Sequence, residues 1–453
     1  MVVSALGGER IVIIGYGTAG ITAAGYARRV GRRAEITVVE ARDYAIYHPC
    51  AIPDAVAGHL SWESLVEEVS EAPRFKLLLG HKAEEVDSDA KTVRVRNLKT
   101  GEVTTLEYDK LIIATGSSPI VPRRIPGIDL DGIYPVKVVE DGVRIAKASE
   151  RHKRVVVVGA SAIGIEMAVA LKSRGLDVTL VELKPQCMPG KLDRDMARLV
   201  EEELRRRGVN LILGSGVEAF EGKERVERVI AGGESIETDF VVLAMGVRPN
   251  VELAKQAGAE LGELGAVKVN SRMETSVPDV YAAGDCVESV NLVTGKPTLA
   301  QFASVAFHHG RVAGINAAGG SAELKGVVVS WIVATEWLKF GAVGLTHDMA
   351  KAEGFDPISA TVRTCAWACI YPEPVSAVIK LTADRESHRL LGAQIFSYGN
   401  VAYMLDVLSL AVSKSMKVED LLDLETAYAP SVSTVPDALY VAIDALARRL
   451  RLV

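Results

Sequence analysis

The 453-residue sequence predicts an α/β fold in which one parallel-sheet unit is built twice, followed by a third region of different pattern. Three observations carry this. First, the apolar run 10–14 leads into Gly15-Tyr16-Gly17-Thr18-Ala19-Gly20 and a helical pattern, and the run 154–158 leads into Gly159-Ala160-Ser161-Ala162-Ile163-Gly164 and another. Second, each unit continues into a short apolar run that ends on an acid, 35–39 before Glu40 and 177–181 before Glu182. Third, matching runs end on glycine at Leu111-Ile112-Ile113-Ala114-Thr115-Gly116 and at Val241-Val242-Leu243-Ala244-Met245-Gly246. Short runs that are apolar on both faces belong to parallel strands covered by helices, and their recurrence is an internal repeat.

The elements follow in order. In the first unit, Gly15 permits the tight turn after the strand, Gly17 lets backbone approach a pyrophosphate, and Gly20 packs helix against strand. The helix beginning at Thr18 and Ala19 would receive that pyrophosphate on its N-terminus. Glu40, twenty residues beyond Gly20, stands where a ribose hydroxyl needs an acceptor. The second unit repeats this Rossmann-like pattern with Gly159, Ser161, Ile163, Gly164 and Glu182, the small Ser161 replacing the middle glycine. Glu182 would repel a ribose 2′-phosphate and no Arg follows it directly, so NADH is favoured over NADPH. Two dinucleotide units in one chain pair chemically as FAD with NADH or NADPH. Ala114, Thr115, Gly116 and Gly246 end the supporting strands. Gly284-Asp285, after Thr275–Tyr281, offers a carboxylate on a glycine turn, suited to the flavin's ribityl chain.

Composition sets the limits. Hydrophobic residues make up 49% and charged residues 24%, as in folded soluble chains, and about 150 residues per domain suggests three domains. Lys and Arg total 52 against 58 Asp and Glu, a net charge of −6, which argues against nucleic acid or an anionic membrane as partner. No apolar run reaches the ~18 residues that span a bilayer; residues 327–335 read as a buried strand. The opening MVVSALGGERIVIIGYG lacks the regions of a signal peptide, so a cytoplasmic protein without stable membrane association is expected.

On these residues the chain resembles the FAD/NAD-linked pyridine nucleotide-disulfide oxidoreductases, over almost its whole length. GYGTAG, ATGSSP at 114–119, GASAIGIE at 159–166, TSVPDVYAAGDC at 275–286 and a C-terminal segment carry the likeness. It implies an FAD-binding domain at 1–120 and 249–325, interrupted by an NAD(P)H-binding domain at 121–248. An α+β dimerisation domain at 326–453 would follow, and so a homodimer. It also implies that Glu166 lies beside nicotinamide and flavin.

Cys50, in Tyr47-His48-Pro49-Cys50-Ala51, identifies the branch. Dithiol members carry Cys-x4-Cys here, whereas the residues five before and five after Cys50 are Ala45 and Ala55. The chain therefore resembles the single-cysteine branch, closest to coenzyme A disulfide reductase, with related NADH oxidases and polysulfide reductases. Oxidases and peroxidases place a His inside the first glycine motif, where this chain has Thr18. The resemblance makes Cys50 the redox centre, with coenzyme A held as a mixed disulfide. Tyr428, in 424–433, and Tyr371, before Pro372, would act near the leaving thiolate across the dimer. Arg29, with Arg28, would hold substrate phosphate, and His48 and Pro49 flank the nucleophile. Departures at Asp54, Ile370 and Ser431, where a Tyr, a second Tyr and a Pro are usual, leave the particular disulfide open. An oxygen-reducing NAD(P)H oxidase is the alternative. A sulfide:quinone-type membrane-surface enzyme, suggested by the basic, amphipathic C-terminus, ranks lower, as does a flavin-bearing sensor without turnover.

The other cysteines read as fillers: Cys286 structural, Cys187 in a loop, and Cys365 and Cys369 on one strand. Their C-x3-C spacing is too sparse for a metal site, since structural zinc takes four ligands, and no metal is expected. His308 and His309 read as packing.

Overall fold

The computed structural model describes residues 8–67, 74–370 and 375–453. It divides into two compact units, Met1–Ala51 with Ser61–Ser118 and Val247–Val327, and Ile52–Leu60 with Pro119–Gly246 and Val328–Val453.

In the first unit a five-stranded parallel sheet has the order Val280–Ala282, Lys110–Ile113, Arg10–Ile14, Glu35–Val39, Lys76–Leu78. Ile11, Ile13, Ile112 and Ile113 are fully buried, which is why these runs are apolar on both faces. The first strand of the chain lies at the centre, so its C-terminal end opens where ligands bind in open α/β sheets. The helices Thr18–Val30 and Ala303–Ala317 pack with their backbones in close approach. A Cβ on Gly310 or Gly314 would come within 2.3 Å of the carbonyl oxygens of Ala19 or Ala23. An antiparallel sheet of His81–Asp87, Thr92–Asn97 and Val103–Glu107 completes the unit's main elements.

The second unit repeats the parallel sheet with the order Ile133–Pro135, Phe240–Leu243, Arg154–Val158, Asp177–Glu182, Asn210–Leu213. It also contains a five-stranded antiparallel sheet, ordered Trp331–Ala334, Lys339–Gly344, Leu390–Ser397, Ser376–Asp384, Pro357–Cys365. All eight residues of Leu390–Ser397 are buried. The run expected as a buried strand at 327–335 is instead an edge strand, with Trp331 and Val333 buried and Ile332 exposed. The C-terminal helix Ala438–Leu450 packs on Pro357–Cys365 and Ser376–Asp384 and buries Leu439, Ile443 and Leu446.

One expectation is overturned here. Cys365 and Cys369 do not share a strand as unbonded fillers. The strand stops at Cys365, the chain turns, and the two residues form a disulfide with Cα atoms 6.1 Å apart. The turn brings two side chains together that a strand, with its 3.3 Å rise per residue, would hold about 13 Å apart.

Candidate active site

The first glycine turn is shaped by backbone contact. Gly15 has φ +100°, and a Cβ there would lie 2.3 Å from the Ala114 carbonyl oxygen. A Cβ on Gly20 would lie 1.9 Å from the Gly15 oxygen, whereas one on Gly17 would meet nothing within 4 Å. Gly17 is the N-cap of Thr18–Val30 and provides no side-chain cap. The helix therefore presents first-turn N–H groups to open space, as a pyrophosphate requires. Thr18 is exposed there, and Ala19 is buried beneath the turn.

Glu40 closes this site. One carboxylate oxygen accepts the Tyr16 N–H at 2.7 Å and Arg42 Nη2 at 2.7 Å. The other accepts the Arg42 N–H at 2.9 Å and Arg42 Nε at 2.8 Å. Burial pushes the Glu40 carboxyl up, but the Arg42 guanidinium and the two N–H donors outweigh it and hold it below its ordinary value. Arg42 also lies over the Tyr47 ring, 4.0 Å from its centroid. Burial raises the Tyr47 hydroxyl, with Arg42 pulling it down and Glu40, Asp285 and Cys50 adding to the rise. Tyr47 thus lies within electrostatic reach of Glu40, Asp285 and Cys50.

The turns at Thr115-Gly116 and Gly284-Asp285 are stapled by Asn250, Ser117 and His309, which sequence reasoning did not place at the site. Thr115 Oγ1 donates to the Asn250 carbonyl at 2.7 Å, Asn250 Nδ2 donates to the Thr115 carbonyl at 2.9 Å, and the Asn250 N–H donates to Gly116, whose φ is +68°. Ser117 Oγ donates to Asp285 at 2.7 Å. His309 was read as packing, yet its Nδ1 accepts the Gly284 N–H at 3.3 Å and its Nε2 meets Ser289 Oγ at 3.1 Å. Burial lowers His309 to about 4, so at neutral pH it is the neutral tautomer that this pair of bonds requires. The only sequence signals were the Asn after Val247-Arg248-Pro249 and one His in a helix, both weak.

Cys50 is an exposed thiol in the single 3₁₀ turn Pro49–Ala51, and the chain continues directly into the helix Ile52–Ala57. His48 turns to Glu67, with Nε2 2.7 Å from Oε1. Cys187 and Cys286 are buried thiols, and burial pushes Cys187 up to about 12. Arg28 and Arg29 line one cleft of about 830 Å³ together with Arg32 and Arg74. Arg28 Nε is buried without a hydrogen-bond acceptor among the described residues. Arg74 comes from a distant segment and carries no local motif.

The second unit has the same turn. A Cβ on Gly159 would lie 2.5 Å from the Ala244 oxygen, and one on Gly164 1.8 Å from the Gly159 oxygen. Ser161 caps the helix Ala162–Ser173: its Oγ accepts the Gly164 N–H at 3.5 Å and donates to the Ala244 carbonyl at 2.9 Å. Ile163 lies in the first turn. Glu182 accepts the N–H groups of Ala160 and Lys184, both at 2.8 Å. Gly246, φ +93°, ends the supporting strand and accepts the Ile120 N–H. Glu166, on the same helix, is raised to about 8 by burial and then by Asp54. Tyr428 is 56% exposed, while Tyr371 lies outside the described residues.

The two glycine turns and their paired acids define the class: an NAD(P)H-dependent flavoprotein oxidoreductase, whose two dinucleotides the two turns fit. Residues 9–310 match the family model for pyridine nucleotide-disulphide oxidoreductase, and 330–439 match the model for its dimerisation domain. The chain belongs to the pyridine nucleotide-disulphide oxidoreductase family. It is 38% identical over 447 residues to an NADH oxidase of Methanocaldococcus jannaschii, covering 97% of this chain and 99% of that one. It is 36% identical over 437 residues to a CoA-dependent NAD(P)H sulfur oxidoreductase of Pyrococcus furiosus, covering 96% and 98%. Among solved structures, an NAD-dependent persulfide reductase from A. fulgidus superposes with a TM-score of 0.93 at 36% identity, covering 98% of this chain and 84% of that one. Among the described residues no helix is long and apolar enough to cross a membrane.

Proposed function

We propose that this chain reduces coenzyme A disulfide, or a persulfide or polysulfide carried on coenzyme A, with electrons from NAD(P)H delivered through Cys50. The observation that carries the reading is the cleft lined by Arg28, Arg29, Arg32 and Arg74. Four guanidiniums around one opening repel one another unless an anion enters, and phosphate is the anion their forked donors fit. None of the residues that line this cleft belongs to either glycine turn, so it suits a third phosphate-bearing molecule, and coenzyme A is a thiol that carries phosphates.

Cys50 supplies the chemistry. Its thiolate attacks the disulfide RSSR, breaking the S–S bond, releasing RS⁻ and leaving a Cys50–S–S–R mixed disulfide; two electrons then break that bond and return Cys50 as thiolate with a second RS⁻. FAD held at the Gly15–Gly20 turn, Glu40 and Asp285 would supply the two-electron link between the nicotinamide and sulfur. Tyr428 and Tyr371 would donate protons to the leaving thiolates across a homodimer. The chain would be divided into FAD-binding segments 1–120 and 249–325, an NAD(P)H-binding domain 121–248 and a dimerisation domain 326–453. Glu182, fixed by two N–H donors, leaves no welcome for a 2′-phosphate and favours NADH.

Oxygen reduction is the second reading, favoured by the likeness to the M. jannaschii NADH oxidase. It would route oxygen to Cys50 as a sulfenate. A quinone-reducing membrane-surface enzyme is disfavoured, because the C-terminal helix already covers its apolar face within its own unit. Anaerobic and aerobic NADH oxidation with coenzyme A disulfide, polysulfide and oxygen separates these readings. Cys50→Ser should keep its yellow flavin and lose coenzyme A disulfide reduction; retained turnover would sink the proposal.

A further inference from the structure

The Cys365–Cys369 disulfide has no part in the chemistry above. Cys365 ends the strand Pro357–Cys365, paired in register with Ser376, and is half-buried, while Cys369 beyond the turn is exposed. The bridge spans a sequence separation of only 4, so it restrains the unfolded chain far less than a bridge closing a long loop. Such a bond adds little as a staple, and exposed disulfides are the ones that thiols reach. The loop it closes is also tied to the segment that carries Tyr428, because the Ala368 N–H donates to the Pro430 carbonyl at 3.1 Å.

We propose that Cys365–Cys369 is a second thiol–disulfide exchange site, whose reactant is the small thiol released at Cys50. The proposal rests on the function given above for the identity of that thiol. A thiolate RS⁻ attacks Sγ of the exposed Cys369, the Cys365–Cys369 bond breaks, and Cys365 leaves as a thiolate that takes a proton. A second RS⁻ attacks the mixed disulfide on Cys369, releasing RSSR and the Cys369 thiolate, which also takes a proton. RSSR is the substrate of Cys50, and NAD(P)H with one proton returns it to two RSH. The sum is NAD(P)H + H⁺ + protein disulfide → NAD(P)⁺ + protein dithiol, with the small thiol as carrier. The pair therefore reads the ratio of thiol to disulfide that the enzyme itself sets. Opening it releases the loop that holds Pro430 and, with it, the Tyr428 segment.

The test uses anaerobic holoenzyme, differential alkylation and peptide mass spectrometry at Cys365 and Cys369. One arm receives NADH alone, one excess coenzyme A, and one NADH with substoichiometric coenzyme A; coenzyme A disulfide turnover is measured in parallel. Expected are two additional alkylated cysteines per chain in the second and third arms and none in the first. Cys50→Ser should abolish the third result and keep the second, and Cys365→Ser, given coenzyme A disulfide anaerobically, should exchange at Cys369 to hold one coenzyme A as a mixed disulfide while releasing the other as thiol. The proposal is overturned if excess coenzyme A leaves the pair closed while dithiothreitol opens it. It is equally overturned if NADH alone opens the pair, or if protein isolated in air without reductant already carries two thiols. Should coenzyme A disulfide not turn over while excess coenzyme A still opens the pair, the function proposed above fails and the exchange site stands.

Discussion

Replacing Arg42 with Met tests whether the Glu40–Arg42 pair is the electrostatic foundation of the first nucleotide site. The side chains are 8% and 17% exposed, and the guanidinium bonds both carboxylate oxygens. Removing one partner of a buried pair costs about 3–5 kcal/mol, because the other charge is left in a low dielectric. Glu40 can escape part of that cost by taking a proton, at about 1.36 kcal/mol for each pH unit between the solution and its pKa. In the wild type the carboxyl is held low, so its stabilisation is present above the unfolded value and lost only as pH falls through the folded one. In Arg42→Met the same burial acts without the guanidinium and raises the group. The gap between variant and wild type should therefore be widest at pH 7 and shrink by up to about 2 kcal/mol at pH 5.5. For a unit of this size a loss of 3 kcal/mol lowers Tm by about 6–12 °C. Flavin occupancy, and Tm measured at both pH values on apoprotein and FAD-loaded protein, read the effect. An unchanged Tm with full flavin at pH 7, or a gap that ignores pH, refutes the reasoning.

Four further outcomes follow from single positions. Gly17→Ala should fold normally, since its Cβ meets nothing and φ is −77°, yet bind FAD at least about tenfold more weakly, roughly 1.4 kcal/mol; Gly20→Ala, whose Cβ would sit 1.9 Å from the Gly15 oxygen, should fail to fold, as circular dichroism and flavin titration would report. Glu166, raised to about 8, stabilises the fold below its unfolded value of 4.5 and loses that contribution as pH rises through 8. Urea unfolding should show about 5 kcal/mol of this dependence in the wild type and none of it in Glu166→Gln. His309, lowered to about 4, acts in the opposite direction: its contribution is present above the unfolded value near 6.5 and is lost as pH falls towards 4. His309→Gln should remove about 3 kcal/mol of acid sensitivity from the same measurement.

What could be read from the sequence was what lies close together along the chain. The turns at Gly15–Gly20 and Gly159–Gly164 are dictated by backbone contacts inside a βαβ unit, so the residues that need to be glycine appear as a spaced motif. Glu40 and Glu182 end the next strand in each unit and were legible for the same reason. Arg42 was not read, although it stands two residues from Glu40, because a pairing across one turn of an irregular loop has no periodicity. Asn250, His309 and Arg74 reach the first unit's turns and cleft from far along the chain, and no local pattern announces such contacts. The C-x3-C pair was misread because the 361–372 segment has strand composition; only the turn after Cys365 reveals that the sulfurs meet.

The two glycine turns differ at their middle position, Gly17 against Ser161, and that difference bears on how each holds its nucleotide. At Gly17 the helix has no side-chain cap, and a Cβ there would meet nothing within 4 Å. At Ser161 the hydroxyl already accepts the Gly164 N–H, so an incoming phosphate must compete with an internal cap of the kind worth about 1 kcal/mol. The acids differ in the same sense. Glu40 is locked by a guanidinium with two bonds beside its two backbone N–H donors, whereas among the described residues Glu182 is held by backbone N–H groups. A preformed, uncapped turn beside a rigid acid favours a nucleotide that stays; a self-capped turn beside a less constrained acid favours one that exchanges at each turnover. The repeat thus supplies one architecture twice, and on the proposed assignment the cap and the group beside the acid would suit the first turn to a resident FAD and the second to the nicotinamide donor.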